Sequence, residues 1–355
     1  MNIYVLDTDF ENVAVIDSYT SIIWTVRYFT YGDFELYLSA EPWLLDTLRA
    51  GYYLVREEDI KSDGYHNVMI INSREIVTDA ENGDNLIVTG YCLKSILRRR
   101  VVIDQTVLNG NIQACLRSLL SDNIVSPTDA DRAISNFILG TDKYTDTRTM
   151  RKQITGKNLG EVFEELCTQY GIGYDVYINT SKQFVLYLYN GVDRSYAQSV
   201  NAHVVVSETF DNLLSSDYMQ SMDSFANVAI VAGEGEGTER KKVTVGTATG
   251  LNRYELWVDA RNASSDNGTI TDSEYLEMLR ADGREALGES DITTTLSGEI
   301  INGVSFEIDR DYFLGDIIQF ENNYGVSAST RVIEVIYNED ETGVNIIPTF
   351  AEMEV

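Results

Sequence analysis

The sequence predicts a β-rich α+β protein in which two tube-like antiparallel β-barrel or sandwich domains flank a smaller α+β region. Two observations support this prediction: strand-forming segments dominate both ends of the 355-residue chain, and helically spaced apolar residues replace them in the middle. The 22 tyrosines add to the strand signal because strands favour aromatic residues at half-buried positions. We place the domains at 1–92, 93–202 and 203–355, with the alternative that the last segment completes the earlier domains.

Residues 1–92 contain the segments expected to form the first β domain. These segments alternate polar and apolar residues or are rich in β-branched and aromatic ones. They are NIYVLD, VAVIDSY, SIIWTVRYF, DFELYLSA and YYLVREE. One short helix is predicted between them, since Pro42 suits a first helical turn and Gly51 suits its termination. A hairpin closes the domain, with its turn at 81–84.

Two helices are predicted in the α+β domain. Apolar residues recur at helical spacing over 112–119 and again over 159–166. The second helix has signals at both ends, because Asn158 can cap its start and Gly171 follows its end. A β-hairpin is predicted directly after it, at 174–190.

After residue 203 the strand signals return and one helix interrupts them. Thr271 and Glu274 have the spacing of a capping box, in which each side chain bonds the backbone of the other residue. We therefore predict a helix at about 272–288 inside the second β domain.

The charge balance limits the classes of partner. The chain has 27 basic and 56 acidic residues, a formal net charge of −29, which excludes duplex binding driven by counterion release. An acidic wall would still let DNA pass without holding it. Ordinary solubility explains the same composition, so charge alone leaves the two interpretations open.

No pattern typical of a catalytic, metal or cofactor site stands out in the sequence. Cys92, Cys115 and Cys167 are far apart, and each is expected to be a small buried hydrophobic residue. The two histidines, His66 and His203, lie in or beside predicted strands and have no GxSxG or HExxH context. A glycosidase needs a pair of carboxylates, and a chain with 56 acidic residues always contains such pairs. A glycosidase is therefore neither supported nor excluded. We expect no enzymatic activity, no metal and no cofactor.

A glycine-rich stretch, NVAIVAGEGEGTERKKVTVG at 227–246, resembles a phosphate-binding loop in its spacing. Gly233, Gly235 and Gly237 alternate with Glu234 and Glu236, whose carboxylates would repel a phosphate. The flanking residues have the period of strands, so we predict a long hairpin with an acidic tip.

Two basic islands stand out in this acidic chain, and we identify them as candidate interface residues. They hold six of the 27 cations: Arg98, Arg99 and Arg100, and then Arg240, Lys241 and Lys242. Solvated turns are one interpretation. The other is contact with a neighbouring subunit or protein, through pairing with its carboxylates. We add the hairpin tip at Gly233, Gly235 and Gly237 to this candidate interface, because glycines can order on a partner surface.

The most recognisable stretch covers residues 210–261 and resembles the gene-product-37-like tail hub proteins of siphophages. It reads FDNLLSSDYMQSMDSFANVAIVAGEGEGTERKKVTVGTATGLNRYELWVDAR. The same family pattern recurs in order along nearly the whole chain. The matching segments are SYTSIIWTVRYFTYGDFELYL, GYCLKSILRRRVV, NLGEVFEELCTQYGIGY, YFLGDIIQF and TRVIEVIYNEDETGVNIIPTF.

The resemblance implies a virion structural protein with a baseplate-hub-like fold, located at the tail tip and synthesised in the host cytoplasm. Such hubs are homotrimers that join the sixfold tail tube to threefold tip proteins and frame the lumen. The implied partners are distal tail and tail tube proteins, the tape-measure protein, and receptor-binding or tip proteins, with DNA only in transit.

Two further expectations concern what this chain does not do. It stops at Val355, where longer relatives carry a peptidase or muramidase region, so a cell-wall-degrading role is assigned to another protein. No stretch approaches 18 apolar residues, so no membrane anchoring by this chain is expected. The alternative function is a carbohydrate-binding or carbohydrate-cleaving tail-tip protein.

Overall fold

The computed structural model describes residues 1–79, 83–265, 269–300 and 304–351. The strands, in chain order, are β1 (Ile3–Leu6), β2 (Asn12–Ile16), β3 (Ser21–Arg27), β4 (Asp33–Ser39), β5 (Tyr53–Arg56), β6 (Ile60–Lys61), β7 (Gly64–Tyr65), β8 (Met69–Asp79), β9 (Gly83–Cys92), β10 (Thr106–Asn111), β11 (Phe137–Leu139), β12 (Thr149–Ile154), β13 (Gly173–Asn179), β14 (Phe184–Tyr189), β15 (Val205–Ser207), β16 (Leu213–Ser221), β17 (Val228–Ala232), β18 (Lys242–Val245), β19 (Glu255–Asp259), β20 (Thr293–Ile300), β21 (Ile317–Glu321), β22 (Ser327–Asp340) and β23 (Gly343–Phe350). The α-helices are α1 (Pro42–Thr47), α2 (Ile112–Leu120), α3 (Leu159–Tyr170) and α4 (Asp272–Gly288).

The largest sheet has eleven strands and is built from both ends of the chain. Its order is β15-β21-β22-β3-β4-β9-β8-β5-β1-β2, with β23 paired to β22. The N-terminal and C-terminal parts meet where β3 pairs antiparallel with β22 and places Trp24 opposite Tyr337. Both side chains are buried in one shared hydrophobic core.

This pairing connects the last segment of the chain to the first domain. Of the two possibilities stated for 203–355, the strand pairings follow the second, in which the last strands complete the first domain. The physical reason is burial, because Val335 of β22 and Ile22 of β3 lie in the same core and neither strand could bury its apolar face alone.

The α+β region has a second core between its sheets and the helices α2 and α3. A five-stranded sheet has the order β11-β14-β13-β7-β6, and a two-stranded sheet pairs β10 with β12. The short strands β6 and β7 come from the first ninety residues, since Gly64 pairs with Asn179. The predicted boundary at 92 is therefore crossed by one hairpin.

The residues between β16 and β20 form a small domain of their own. Its sheet has the order β18-β17-β19, and α4 packs on one face through Tyr275 and Leu279. β16 and β20 pair as a two-stranded ribbon that leads into this domain and out of it. We call the unit from β17 to α4 the small domain.

The helix ends follow the capping signals in the sequence. Asn158 accepts hydrogen bonds from the N–H groups at the start of α3, and Gly171 ends that helix with φ of 66°. At α4 the capping box between Thr271 and Glu274 is formed in both directions. The predicted helix at Pro42 is also confirmed. The turn predicted at 81–84 lies largely outside the described residues.

Candidate assembly interface

The three consecutive arginines of the first basic island have different surroundings. Arg98 lies 4.6 Å above the ring of Tyr31 and forms ion pairs with Glu161 and Glu164 of α3. Arg100 donates to the carbonyl oxygen of Arg132 at 2.8 Å. Within the described part of the chain, Arg99 is exposed and its guanidinium has no ion pair or hydrogen bond. Arg99 is therefore the arginine of this island that is free to meet a partner.

The glycine-rich stretch forms the predicted hairpin, with β17 and β18 paired antiparallel. Gly233 is buried, and a Cβ there would meet the hydroxyl oxygen of Tyr275. Gly235 and Gly237 are exposed and have φ of 99° and 54°, a left-handed conformation that favours glycine. Gly233 thus serves internal packing, whereas the other two glycines shape the exposed tip.

The cations beside this tip are mostly used inside the small domain. The Arg240 guanidinium donates to the carbonyl oxygens of Gly233 and Ala232. Lys241 donates to Asp272 at the start of α4, at 2.6 Å. Lys242 is exposed, and its ammonium has no ion pair or hydrogen bond among the described residues. The prediction that all three cations contact a partner stays a prediction, and Lys242 is the one whose charge is available.

Sequence reasoning missed Trp257, which lies beside Lys242. Its side chain is 53% exposed on β19. The Lys242 Nζ and the Arg240 guanidinium carbon each lie 5.8 Å from the centroid of its ring. The alternation of polar and apolar residues in ELWVD indicated a strand. It did not indicate which face of the sheet α4 would leave uncovered. The basic island at 240–242 was the signal that could have pointed to it.

A cleft of about 1250 Å³ lies between the α+β region and the small domain. Arg98 lines one part of it, together with residues from β10, β12, α3 and α4. Across the cleft, the Lys152 ammonium donates to Glu165 of α3 and to Glu285 of α4, each at 2.6 Å. This three-residue bridge ties the small domain to the α+β region.

Asp282 is a further acidic residue beside the bridge, and its carboxyl group is held closer to the neutral form. The pKa of Asp282 is raised to about 6 because burial, and then the neighbouring Glu285, disfavour its charge. The nearby Lys152 acts in the opposite direction and offsets part of this effect. The bridge is therefore an acid-rich contact that one partly buried lysine holds together.

The outer half of β8 presents a free strand edge. Residues up to Ile71 pair on both sides, whereas from Ser73 onward β8 pairs with β9 alone among the described strands. Ile76 and Val77 are 49% and 41% exposed there, on opposite faces. Arg74 donates to the carbonyl oxygen of Leu45 at the start of this segment. An edge with exposed β-branched side chains can accept a further strand.

The cysteines and histidines occupy local structural positions. All three cysteines are unpaired and buried, as predicted. The ring of His66 stacks on Tyr177 with centroids 4.6 Å apart, and its Nε2 lies 3.0 Å from a carboxylate oxygen of Asp63. The Nε2 of His203 lies 3.0 Å from the carbonyl oxygen of Gln198. Across the described ranges, no group of three or more His, Cys, Asp or Glu residues is arranged to hold a metal ion.

None of the helices in the described residues is long and apolar enough to cross a membrane.

Three solved tail proteins share this fold over nearly their whole length. The tail protein of Neisseria meningitidis MC58 has a TM-score of 0.55 at 10% identity, covering 99% of this chain and 96% of that one. The 43 kDa tail protein of prophage MuSo2 from Shewanella oneidensis has a TM-score of 0.56 at 12% identity, covering 99% and 98%. Tail protein gp18 from a Listeria monocytogenes EGD-e prophage has a TM-score of 0.53 at 11% identity, covering 100% and 95%.

These structural similarities, at such low identity, show the fold alone. The family follows from the sequence, because the model of the Siphovirus ReqiPepy6 Gp37-like proteins matches residues 2–350. The chain belongs to this family of siphophage tail proteins, as the resemblance predicted, and is a virion component. No curated protein sequence matches the chain.

Proposed function

We propose that three copies of this chain form the hub at the distal end of a siphophage tail. In this role the trimer joins the sixfold tail tube to threefold tip proteins and frames the lumen through which DNA passes. Family membership and the tail-protein fold support a place in the tail. The observation that carries the step to an assembled ring is the free edge of β8.

A free edge of this kind is unfavourable on an isolated subunit. The unpaired N–H and C=O groups and the exposed Ile76 and Val77 would promote uncontrolled association, which proteins prevent by covering the edge or placing charges on it. A strand from a neighbouring copy would satisfy the backbone and bury both side chains. The β8 edge of one copy and the added strand of the next copy are different surfaces. Repeated contacts of this kind around an axis can close into a ring.

The charge of the chain fits a channel that DNA crosses. Three copies carry three times −29, or −87 formal charges, which must lie where water and counterions screen them. Carboxylates along the lumen would give DNA or a tape-measure segment a wall that does not adhere to it. Receptor-binding or tip proteins would then attach below the ring and tail tube proteins above it.

We expect the purified chain, or the chain in tails, to have three times its mass of 39.9 kDa. The test of the interface is the double variant Ile76→Lys with Val77→Lys, because lysines on an edge oppose strand addition. Both side chains are exposed, so we expect folding to change by less than about 0.5 kcal/mol per substitution while the trimer is lost. Sedimentation equilibrium measures the mass, and thermal unfolding measures the fold.

The matched control is Val200→Lys with Tyr324→Lys, at two exposed positions away from β8. This variant should remain trimeric. A single copy of the chain per particle in a cryo-EM map would contradict the hub proposal itself. A trimer that keeps its stability in the β8 double variant would instead reject only this edge as the interface.

We also propose that the chain is not an enzyme. The rival function, carbohydrate binding or cleavage, needs a cleft lined by aromatic residues, and Tyr170 is the one aromatic residue in the described lining of the large cleft. Incubation of purified protein with host cell walls should cause no loss of turbidity and release no sugar. Release that disappears on replacing one carboxylate would overturn this proposal.

A further inference from the structure

The small-domain sheet has an outer face that α4 does not cover. Within this sheet, Ile230 of β17 lies between Trp257 of β19 and Thr244 of β18. The opposite face is covered by α4, whose Tyr275 and Leu279 complete the core. Trp257 therefore faces outward and is more than half exposed.

The charge around Trp257 differs from that of the chain as a whole. Arg240 beside the ring is held by backbone carbonyl groups and by Asp259. The exposed ammonium of Lys242, in contrast, contacts the ring without an ion pair to any described residue. A cation without a carboxylate partner is notable in a chain with 56 acidic and 27 basic residues.

Self-association of a chain with a net charge of −29 is opposed by repulsion, unless the contact includes a surface that is locally neutral or basic. The Trp257 and Lys242 face is such a surface. We propose that the small domain of one copy docks through this face onto an acidic surface of a second copy in the ring. This inference rests on the proposed trimer and names a contact within it.

The contact would draw on two physical effects. Exposed tryptophans at the centre of protein interfaces are frequent hot spots, because they bury a large rigid apolar area at low entropic cost. The exposed ammonium of Lys242 would gain a carboxylate of the second copy as its partner. The two effects are separable, since only the second depends on salt.

The test compares full-length variants by sedimentation equilibrium at several protein concentrations. Trp257→Ala is expected to raise the dissociation constant of the trimer by about 30-fold or more. Lys242→Glu should weaken the trimer most at low salt, because the glutamate would face a carboxylate and salt screens this repulsion, whereas Lys242→Arg should preserve the stability of the trimer and its dependence on salt. Tyr324→Ala, at an exposed aromatic residue on the turn between β21 and β22, is the control and should leave the constant unchanged.

A photo-crosslinking residue at position 257 then identifies the occupant of this face in tails. Crosslinks to an acidic segment of a second copy support the inference, and crosslinks exclusively to a different tail protein overturn it. If the wild-type chain is trimeric and Trp257→Ala leaves the constant unchanged, the inference fails while the hub stands. If the wild-type chain is monomeric in solution and in the particle, the hub proposal fails as well.

Discussion

Replacing Arg56 by alanine is expected to lower the free energy of unfolding by about 3–5 kcal/mol, as for other broken buried ion pairs. The Arg56 side chain is 3% exposed and donates from Nε to Asp59 at 2.6 Å. Its guanidinium also lies 4.0 Å from the ring centroid of Tyr337 on β22. The alanine variant leaves the buried Asp59 carboxylate with Asn67 as its remaining hydrogen-bond partner. Equilibrium denaturation in urea measures the loss.

The control for this prediction is an exposed pair. Arg310 bonds Glu307 on the surface, and Arg310→Ala should cost at most about 1 kcal/mol. A double variant, Arg56→Met with Asp59→Leu, should recover much of the loss because no buried charge is left unpaired, since the carboxylate of Glu58, the other ion-pair partner of Arg56, is half exposed to water. A loss below about 1 kcal/mol for Arg56→Ala would show that this buried ion pair and the contact of Arg56 with Tyr337 contribute little to stability.

The sequence predicted the elements whose signals are local. α3 begins after Asn158 and ends before Gly171 because a side chain that accepts backbone N–H groups and a residue that tolerates positive φ act within a few positions. The same holds for the hairpin at 227–246, where the period of two and the glycines decided the structure. Such signals need no knowledge of the rest of the chain.

The strand partners could not be predicted in the same way. β3 and β22 pair although about three hundred residues separate them along the chain, and nothing local in either strand names the other. Their register depends on which apolar faces share a core. The predicted division into three consecutive domains followed composition along the chain, whereas the sheet follows the burial of Trp24 and Tyr337.

The candidate site shows the same limit at the level of single residues. Arg98, Arg99 and Arg100 are identical in chemistry and adjacent in sequence, so no local pattern distinguishes them. The fold does, because it places Tyr31 under the first and the Arg132 carbonyl group beside the third. Trp257 could not be predicted because the alternation of residues along a strand shows which side chains share a face. It does not show whether that face is covered or exposed.

Replacing Gly173 by alanine is the second substitution with a large expected effect. Tyr28 follows β3, is fully buried, and lies against the backbone of Gly173 on β13 and of Gly315 before β21. A Cβ at either glycine would overlap the tyrosine ring. The ring cannot move away freely, because its hydroxyl lies within 3.2 Å of the carbonyl oxygen of Tyr189. We expect Gly173→Ala to cost about 3 kcal/mol of stability, at the upper end of the usual range for overpacked cores.

A double-mutant cycle separates this clash from a general effect of the substitution. With the ring removed by Tyr28→Leu, the added methyl group of Gly173→Ala has space and should cost less than about 1 kcal/mol further. Gly288→Ala, at the end of α4 where an added Cβ meets nothing within 4 Å, should be neutral or slightly stabilising. If Gly173→Ala costs the same with and without the Tyr28 ring, overlap with this ring is not the cause of the loss.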